Sequence, residues 1–392
     1  MSRLKTFFLI PAKRGFTGAS MAALNIALGL SKRGVEVHVA TTKPPSQHEV
    51  FLERLRKEGV KVHVATLNPP HFVYWVYLAL MAFKHVARLR PSVVHPHTPR
   101  IGVILLPLSL LFRTPSVLTL EGDPLYEASK AKIWGRALAI AAWSICRRLS
   151  RVVCPCSSWL AKVVGARHPE LKGKLFPVPN PVDYERFIKA DPSGIKEKLG
   201  VKGLMVFTAA RLDEVKGVDV LLSSAAIVAS KDLEASFVVA GEGPLKSKLE
   251  RSLNELGLRG SFMLIGFRED IEKLTAACDI AVLPSRYEPF GMPAAEAGAC
   301  EKPVVVSDVG GLREIVVHNV TGLRVPVANA EKLAEAIVKL LQDPKLRVEL
   351  GSAAKKRVEA LFRPEAVALK MLRIYERLVL GVVYKGVEPS ST

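Results

Sequence analysis

Acidic residues are scarce in the first half of this chain. Residues 1–184 hold 9 Asp and Glu against 26 Lys and Arg, whereas residues 185–392 hold 28 against 30, so most of the formal net charge of +19 sits in the first half. Such asymmetry favours an anionic partner there, either a negatively charged membrane face or an acidic acceptor; a solvated basic surface with no specific partner fits the same count. Cysteine is also sparse. Five residues, Cys146, Cys154, Cys156, Cys278 and Cys300, are an odd number without paired CxxC or Cys/His spacing, which excludes a disulfide framework and a structural zinc site. They are expected to be reduced thiols in a cytosolic protein. Long apolar runs are missing as well: Phe72–Phe83 and Ile101–Phe112 reach about twelve residues against the roughly 20 that a spanning helix needs. Before the strand-like run Thr6–Pro11 there is only a short basic lead, with none of the regions of a signal peptide.

With 49% hydrophobic and 24% charged residues over 392 positions, the composition is that of a packed globular protein of two domains. β-branched runs alternate with helical patterns throughout. In the first half they are Thr6–Ile10, Val35–Ala40, Val60–Ala65, Ser116–Leu120 and Arg151–Cys154, with helices near Ser20–Lys32 and His48–Glu58. The rhythm restarts at Leu204–Ala209 and continues through Ser236–Ala240, Phe262–Ile265, Ile280–Leu283, Pro303–Val306 and Gly322–Val325. Strands alternating with helices predict an α/β fold of two doubly wound parallel sheets. The three prolines of Phe176–Asp183 interrupt helix and strand alike and place the hinge there. The expected domains are therefore 1–183 and 184–363, followed by a C-terminal helical segment, 364–392, that can dock back on the first domain. Ligands of open parallel sheets gather at the carboxyl ends of the strands, and two such sheets facing each other would form a cleft.

Loops after the second-half strands share one chemical theme. Arg211 and Lys216 follow Leu204–Ala209 and lead into a helix, where two cations suit a diphosphate, although an exposed loop pair reads the same way. Gly241-Glu242-Gly243-Pro244 follows a strand and opens a helix near its first turn, allowing close backbone approach to a ligand; a plain strand-to-helix turn explains it equally. The loop Pro284–Glu296 sets Glu288 before a helix and Glu296 about one turn inside it, with Phe290, Gly291, Met292 and Pro293 between. One carboxylate can accept from sugar hydroxyls and the other from ribose hydroxyls, while free helix N–H groups face phosphate; Glu296 as a simple dipole partner is the alternative. Asp308-Val-Gly310-Gly311…Glu314 adds one more glycine-rich turn.

In this order and spacing, Arg211…Lys216-Gly217, Gly241-Glu-Gly-Pro244, Pro284…Glu288-Pro-Phe-Gly291…Glu296, Lys302-Pro-Val-Val and Gly310-Gly311…Glu314 resemble glycosyltransferase family 4 over nearly the whole chain. The resemblance implies the GT-B architecture of two Rossmann-like domains facing across a cleft. It also implies transfer of a hexosyl unit from a nucleotide-sugar to a hydroxyl acceptor with retention of configuration. Arg211 and Lys216 would hold the donor diphosphate, Glu288 the sugar and Glu296 the ribose. No metal or other cofactor is implied, in keeping with the lack of an Asp-x-Asp motif, and a UDP-sugar is slightly favoured over a GDP-sugar as donor. Gly15 and Gly18 resemble the family's glycine loop near the phosphates, His95-Pro-His97 a histidine-bearing strand end, and Asn180-Pro-Val-Asp183 its linker signature.

Two departures stand out. Where the family usually has histidine after Ser116–Leu120, this chain has Glu121-Gly-Asp123; a carboxylate there can orient the acceptor, stabilise positive charge on the sugar carbon or act as base, or simply form a surface turn. Gly298 and Glu301 replace a methionine and a glycine after Glu296. On the acceptor side the candidates are Glu121, His95, His97 and Asp123, the two histidines being equally suited to turn packing. The basic first half and Phe72–Tyr77 suit an interfacial helix meeting a lipid-linked or glycan acceptor at the inner face of the cell membrane, against soluble acceptors and buried core helices. No nucleic acid partner is expected. Two other readings share these features: a nucleotide-sugar 2-epimerase and a non-catalytic sugar-binding protein.

Overall fold

The structure, a computed structural model, describes residues 4–12, 18–45, 49–65, 71–231 and 233–381. The chain divides into two units, Met1–Pro181 with Pro364–Thr392, and Val182–Arg363.

In the first unit, β1 (Lys5–Ile10), β2 (Glu36–Thr42), β3 (Lys61–Ala65) and β4 (Val93–Val94) form a parallel sheet in the order β3-β2-β1-β4. A parallel bridge from Val94 to Ser116 ties it to β5 (Val117–Leu120), which pairs with β6 (Val152–Pro155). Alternation along β1 sends Phe8 and Ile10 to one face and Phe7 and Leu9 to the other. The first pair joins a core with the helices Gly18–Lys32 and Pro364–Val379; the second meets the helices His71–Leu89 and Pro99–Leu111. Both faces are buried, so the strands read as unbroken apolar runs.

The C-terminal helix Pro364–Val379 lies against Gly18–Lys32 in this unit. Contact is close enough that a Cβ on Gly29 would fall 2.2 Å from the Pro364 carbonyl oxygen and 2.8 Å from Ala368 Cβ. Lys32 and Arg33 hold the near end through the Glu365 carboxylate and carbonyl, at 3.0 and 2.9 Å. The helix ends at Val379, and Gly381, at φ 70°, turns the chain out of it.

The second unit is one six-stranded parallel sheet of β7 (Leu204–Ala209), β8 (Ala235–Ala240), β9 (Phe262–Leu264), β10 (Ile280–Leu283), β11 (Val304–Ser307) and β12 (Leu323–Val325). Their order is β12-β11-β10-β7-β8-β9. The chain builds outward from β7 in one direction and then restarts at β10 in the other, so the order reverses between these two strands and opens a crevice at their carboxyl ends. Gly298 finds its use here: on the helix Met292–Ala299 it faces Val358 and Ala354 of the helix Pro344–Phe362, where an added Cβ would come within 2.8 Å of Val358. Glu301, at φ 61°, pairs with Lys355 at 3.0 Å.

Filling the Gly29 contact should expel the C-terminal helix from its seat. Gly29→Leu is expected to cost about 2 kcal/mol or more of stability, as overpacking does where backbone must move; chemical denaturation would show it as a lowered midpoint, and an unchanged midpoint would mean that this contact is not formed.

Candidate active site

The loops after β7 and β10 emerge at the reversal point of the second sheet, and the structure joins them through Lys216 and Glu288. Lys216 closes a short 3-10 turn, Glu214–Lys216, capped by Asp213, whose side chain accepts from the Lys216 amide at 3.3 Å. Its Nζ donates to Glu288 Oε2 at 2.7 Å, and Ser285 Oγ lies 3.3 Å from the same oxygen. Glu288 is buried and Lys216 is partly exposed.

Backbone contact fixes both partners. Gly217 is left-handed, at φ 66°, and a Cβ there would sit 2.0 Å from the Pro284 carbonyl oxygen; Gly310, at φ 56°, is equally close to the Glu288 carbonyl oxygen. Only glycine permits either approach. The Gly311 amide donates to the Glu288 carbonyl at 2.9 Å and the Arg286 amide to the Val215 carbonyl at 2.7 Å. Arg286 also forks onto both Asp219 carboxylate oxygens, at 2.8 and 2.6 Å, and reaches the Glu214 carbonyl at 2.8 Å. Three loops thus form one piece.

The Gly241–Pro244 turn lies against the backbone of residues 210–212: Leu212 donates to the Glu242 carbonyl at 3.0 Å, and Leu245 donates to the Leu212 carbonyl at 3.0 Å. Gly241 and Gly243 are the points of closest approach. That tether changes the helix start, because the helix begins at Lys246 and Pro244 lies in the preceding turn, not in a first helical turn. Arg211 is exposed, with Nε 3.5 Å from Asp213. Gly291 caps the helix Met292–Ala299 in a left-handed conformation, and Met292 is its first residue. Phe290 is buried with its ring edge-on to Phe362, so its side chain serves packing and only its backbone can meet a ligand.

Glu296 projects from the second turn of that helix. Burial pushes its carboxyl up to about 7; Arg186 opposes this, while Asp183 and Glu272 reinforce it. It is therefore a carboxyl poised between its two states at neutral pH, with acceptor and donor capacity for a pair of hydroxyls.

In the first unit the candidates separate into two groups. His95 is wholly buried, one ring nitrogen meeting the Tyr375 hydroxyl and the other Thr119 Oγ1 at 2.7 Å, and burial drives its pKa well down. This corrects its expected place on the acceptor side: both nitrogens are occupied by the core. Asp123 is corrected likewise, since it caps the helix Pro124–Ser129 through the Leu125 amide at 3.0 Å and pairs with Arg167. His97 and Glu121 behave differently. His97 Nδ1 lies 3.7 Å from Glu121 Oε1, the other Glu121 oxygen accepts from the Asn180 amide, and the ring of His97 stacks on His95. Among the described residues both His97 nitrogens, Glu121 Oε1 and Asn180 Oδ1 are buried without a hydrogen-bond partner. Unmet polar atoms concentrated at one spot mark a place for a polar ligand or water. Asn180, read from the sequence only as part of the linker, belongs to this cluster. Gly18 begins the helix Gly18–Lys32, with no other described residue within 4 Å of an added Cβ, and Gly15 lies outside the described residues.

Residues 16–186 match the family described as Glycosyltransferase Family 4 and residues 194–357 the one described as Glycosyl transferases group 1. An uncharacterised glycosyltransferase of Methanocaldococcus jannaschii is 34% identical over 174 residues, 44% of either chain. The N,N'-diacetylbacillosaminyl-diphospho-undecaprenol alpha-1,3-N-acetylgalactosaminyltransferase of Campylobacter jejuni is 37% identical over 171 residues, 43% of either chain. The chain therefore spans under half the length of these two curated relatives. The crystal structure of Anabaena HepE in complex with UDP and glucose has the same fold, with a TM-score of 0.78 at 21% identity, covering 95% of this chain and 100% of that one.

The raised Glu296 carboxyl has a consequence for stability. It binds a proton more tightly folded than unfolded, so its contribution is present below the ordinary value of 4.5 and is lost as pH rises through about 7. Glu296→Gln should therefore match the wild type near pH 4 and exceed its stability at pH 8 by about 1–3 kcal/mol. Parallel denaturation curves across this range would test it, and a constant difference would show that the carboxyl does not titrate where its burial places it.

Proposed function

Since the chain belongs to the group 1 glycosyltransferases of family 4, we propose that it moves a hexosyl unit from a nucleoside-diphosphate sugar to a hydroxyl acceptor with retention of anomeric configuration. The observation that carries this reading is the Lys216–Glu288 pair at the reversal point of the second sheet. Without a ligand the pair is internally neutral. A donor diphosphate offers Lys216 a stronger acceptor, and the exposed Arg211 on the same loop is free to swing onto it. Glu288 is then released to accept hydrogen bonds from hydroxyls of the sugar, while Glu296 receives the ribose hydroxyls.

Bond cleavage separates the anomeric carbon from the diphosphate oxygen, and negative charge grows on the leaving group. Lys216 and Arg211 meet that charge where it develops, which is the largest contribution protein groups make to such a reaction. The acceptor oxygen bonds to the anomeric carbon as its proton is removed. In the first unit, Glu121, with His97 and Asn180 beside it, supplies a carboxylate with one buried oxygen that lacks a hydrogen-bond partner among the described residues and suits a substrate hydroxyl. UDP is favoured as the nucleotide, supported by the HepE complex with UDP and glucose. A lipid-linked acceptor is favoured by the basic first half and by the diphospho-undecaprenol substrate in the name of the Campylobacter relative. The expected location is the cytoplasm, at the inner face of the membrane.

A thermal-shift and turnover screen of UDP-, GDP- and ADP-sugars tests the reading. One nucleotide should stabilise the wild type and not Glu296→Ala, and Lys216→Ala should lose about 100-fold or more in turnover, the scale of losing one transition-state donor. No shift with any nucleotide, or full turnover in Lys216→Ala, would overturn it.

A further inference from the structure

Between Glu58 and Glu170 the sequence holds 14 Lys and Arg but only three acids, Glu121, Asp123 and Glu127. Within this stretch the helix Ile133–Leu149 is seated by its second half alone, through the buried Trp143 and Cys146. Its first eight residues carry large apolar side chains into solvent: Ile133 and Trp134 are each 84% exposed and Leu138 is 72% exposed. Cys146, near the end of this helix, donates to the Pro99 carbonyl at the start of Pro99–Leu111, so the two helices run antiparallel and the exposed Leu110 and Leu111 lie toward the Ile133 end. Phe112 follows, 5.7 Å from the ring of the exposed Phe83, with the Arg90 guanidinium over its face at 4.8 Å. Exposed cations stand close to these residues along the chain: Lys84, Arg88, Arg90, Arg113, Lys130, Lys132 and Arg136, with Glu127 3.9 Å from Lys130.

We propose that the tip formed by Ile133–Leu138 and Leu110–Phe112 is a membrane-docking surface that inserts Ile133, Trp134 and Leu138 among the headgroups of an anionic bilayer. A predominance of Lys and Arg beside Trp and aliphatic side chains, with Glu127 the one exposed acid, matches the headgroup boundary, where the apolar tips leave water and the cations reach phosphate. Lysine is depleted from protein interfaces, which disfavours a protein partner. The contact is peripheral: among the described residues no helix is long and apolar enough to cross a membrane. It is a separate surface from Phe72–Tyr77, the segment that composition suggested, in which Trp75 and Val76 are exposed while Tyr74 is turned into the core. The surface rests on the proposed lipid-borne acceptor for its purpose, not for its existence.

The test is sedimentation of the full chain with phosphatidylglycerol/phosphatidylcholine vesicles and with phosphatidylcholine alone. The triple variant Ile133→Ser, Trp134→Ser, Leu138→Ser and the triple variant Lys130→Glu, Lys132→Glu, Arg136→Glu are run beside the wild type. The wild type should bind the anionic vesicles and release them at high salt, and each variant should bind at least about tenfold more weakly while keeping the wild-type response to nucleotide-sugar in the thermal-shift screen. Absence of wild-type binding, unchanged binding by both variants, or loss in the serine variant of a concentration-dependent dimer seen by light scattering would overturn the proposal. Vesicle binding in a chain that responds to no nucleotide-sugar would leave the surface standing and remove the catalytic reading.

Discussion

A lysine and a carboxylate 2.7 Å apart, Lys216 and Glu288, are the contact on which the proposed chemistry of the second unit depends. Each comes from a different loop, and the two loops leave adjacent strands, β7 and β10, where the sheet reverses its order. Removing one partner of a buried pair costs about 3–5 kcal/mol because the other charge is left unpaired. Lys216 keeps contact with solvent, so the cost here is at or below the low end of that range. In the proposed reaction an anionic ligand would resolve the same problem from outside by giving Lys216 a new partner.

The loops around the proposed exchange are tied to one another. Gly217 against Pro284 and Gly310 against Glu288 bring backbone to backbone without side chains between, and Arg286 bonded to Asp219 and Glu214 closes the frame. A site held on such a frame leaves its two charged side chains as the adjustable parts, which is the preorganisation that charge stabilisation requires. The first unit shows the opposite state. His97 stacks on His95, which Tyr375 holds, and Asn180 donates to Glu121, yet several polar atoms of His97, Glu121 and Asn180 have no partner among the described residues.

The sequence was most legible where periodicity carries the signal. All six strands of the second sheet lie within a residue or two of their expected positions, because apolar runs bounded by Gly, Pro and Asp leave little choice of ends. β4 is only two residues long and could be seen only through the histidines that follow it. Local reading of single residues failed where a long-range partner decides. His95 looks like a ligand until Tyr375, 280 residues away, takes one of its nitrogens. Asp123 looks like an acid at a strand end until the helix after it needs a cap. Pro244 looks like a helix opener until Leu212 binds Leu245 and delays the helix to Lys246. The exposed tip of Ile133–Leu149 was invisible for the same reason, since an apolar helix in sequence does not say which of its turns the fold covers.

Calorimetric titration with uridine diphosphate and with uridine tests most directly whether the Lys216–Glu288 node is a diphosphate receptor. Uridine diphosphate is predicted to bind at least about 100-fold more tightly than uridine, and Lys216→Ala to erase most of that difference. Equal affinities for the two, or a difference that survives Lys216→Ala, would contradict the account.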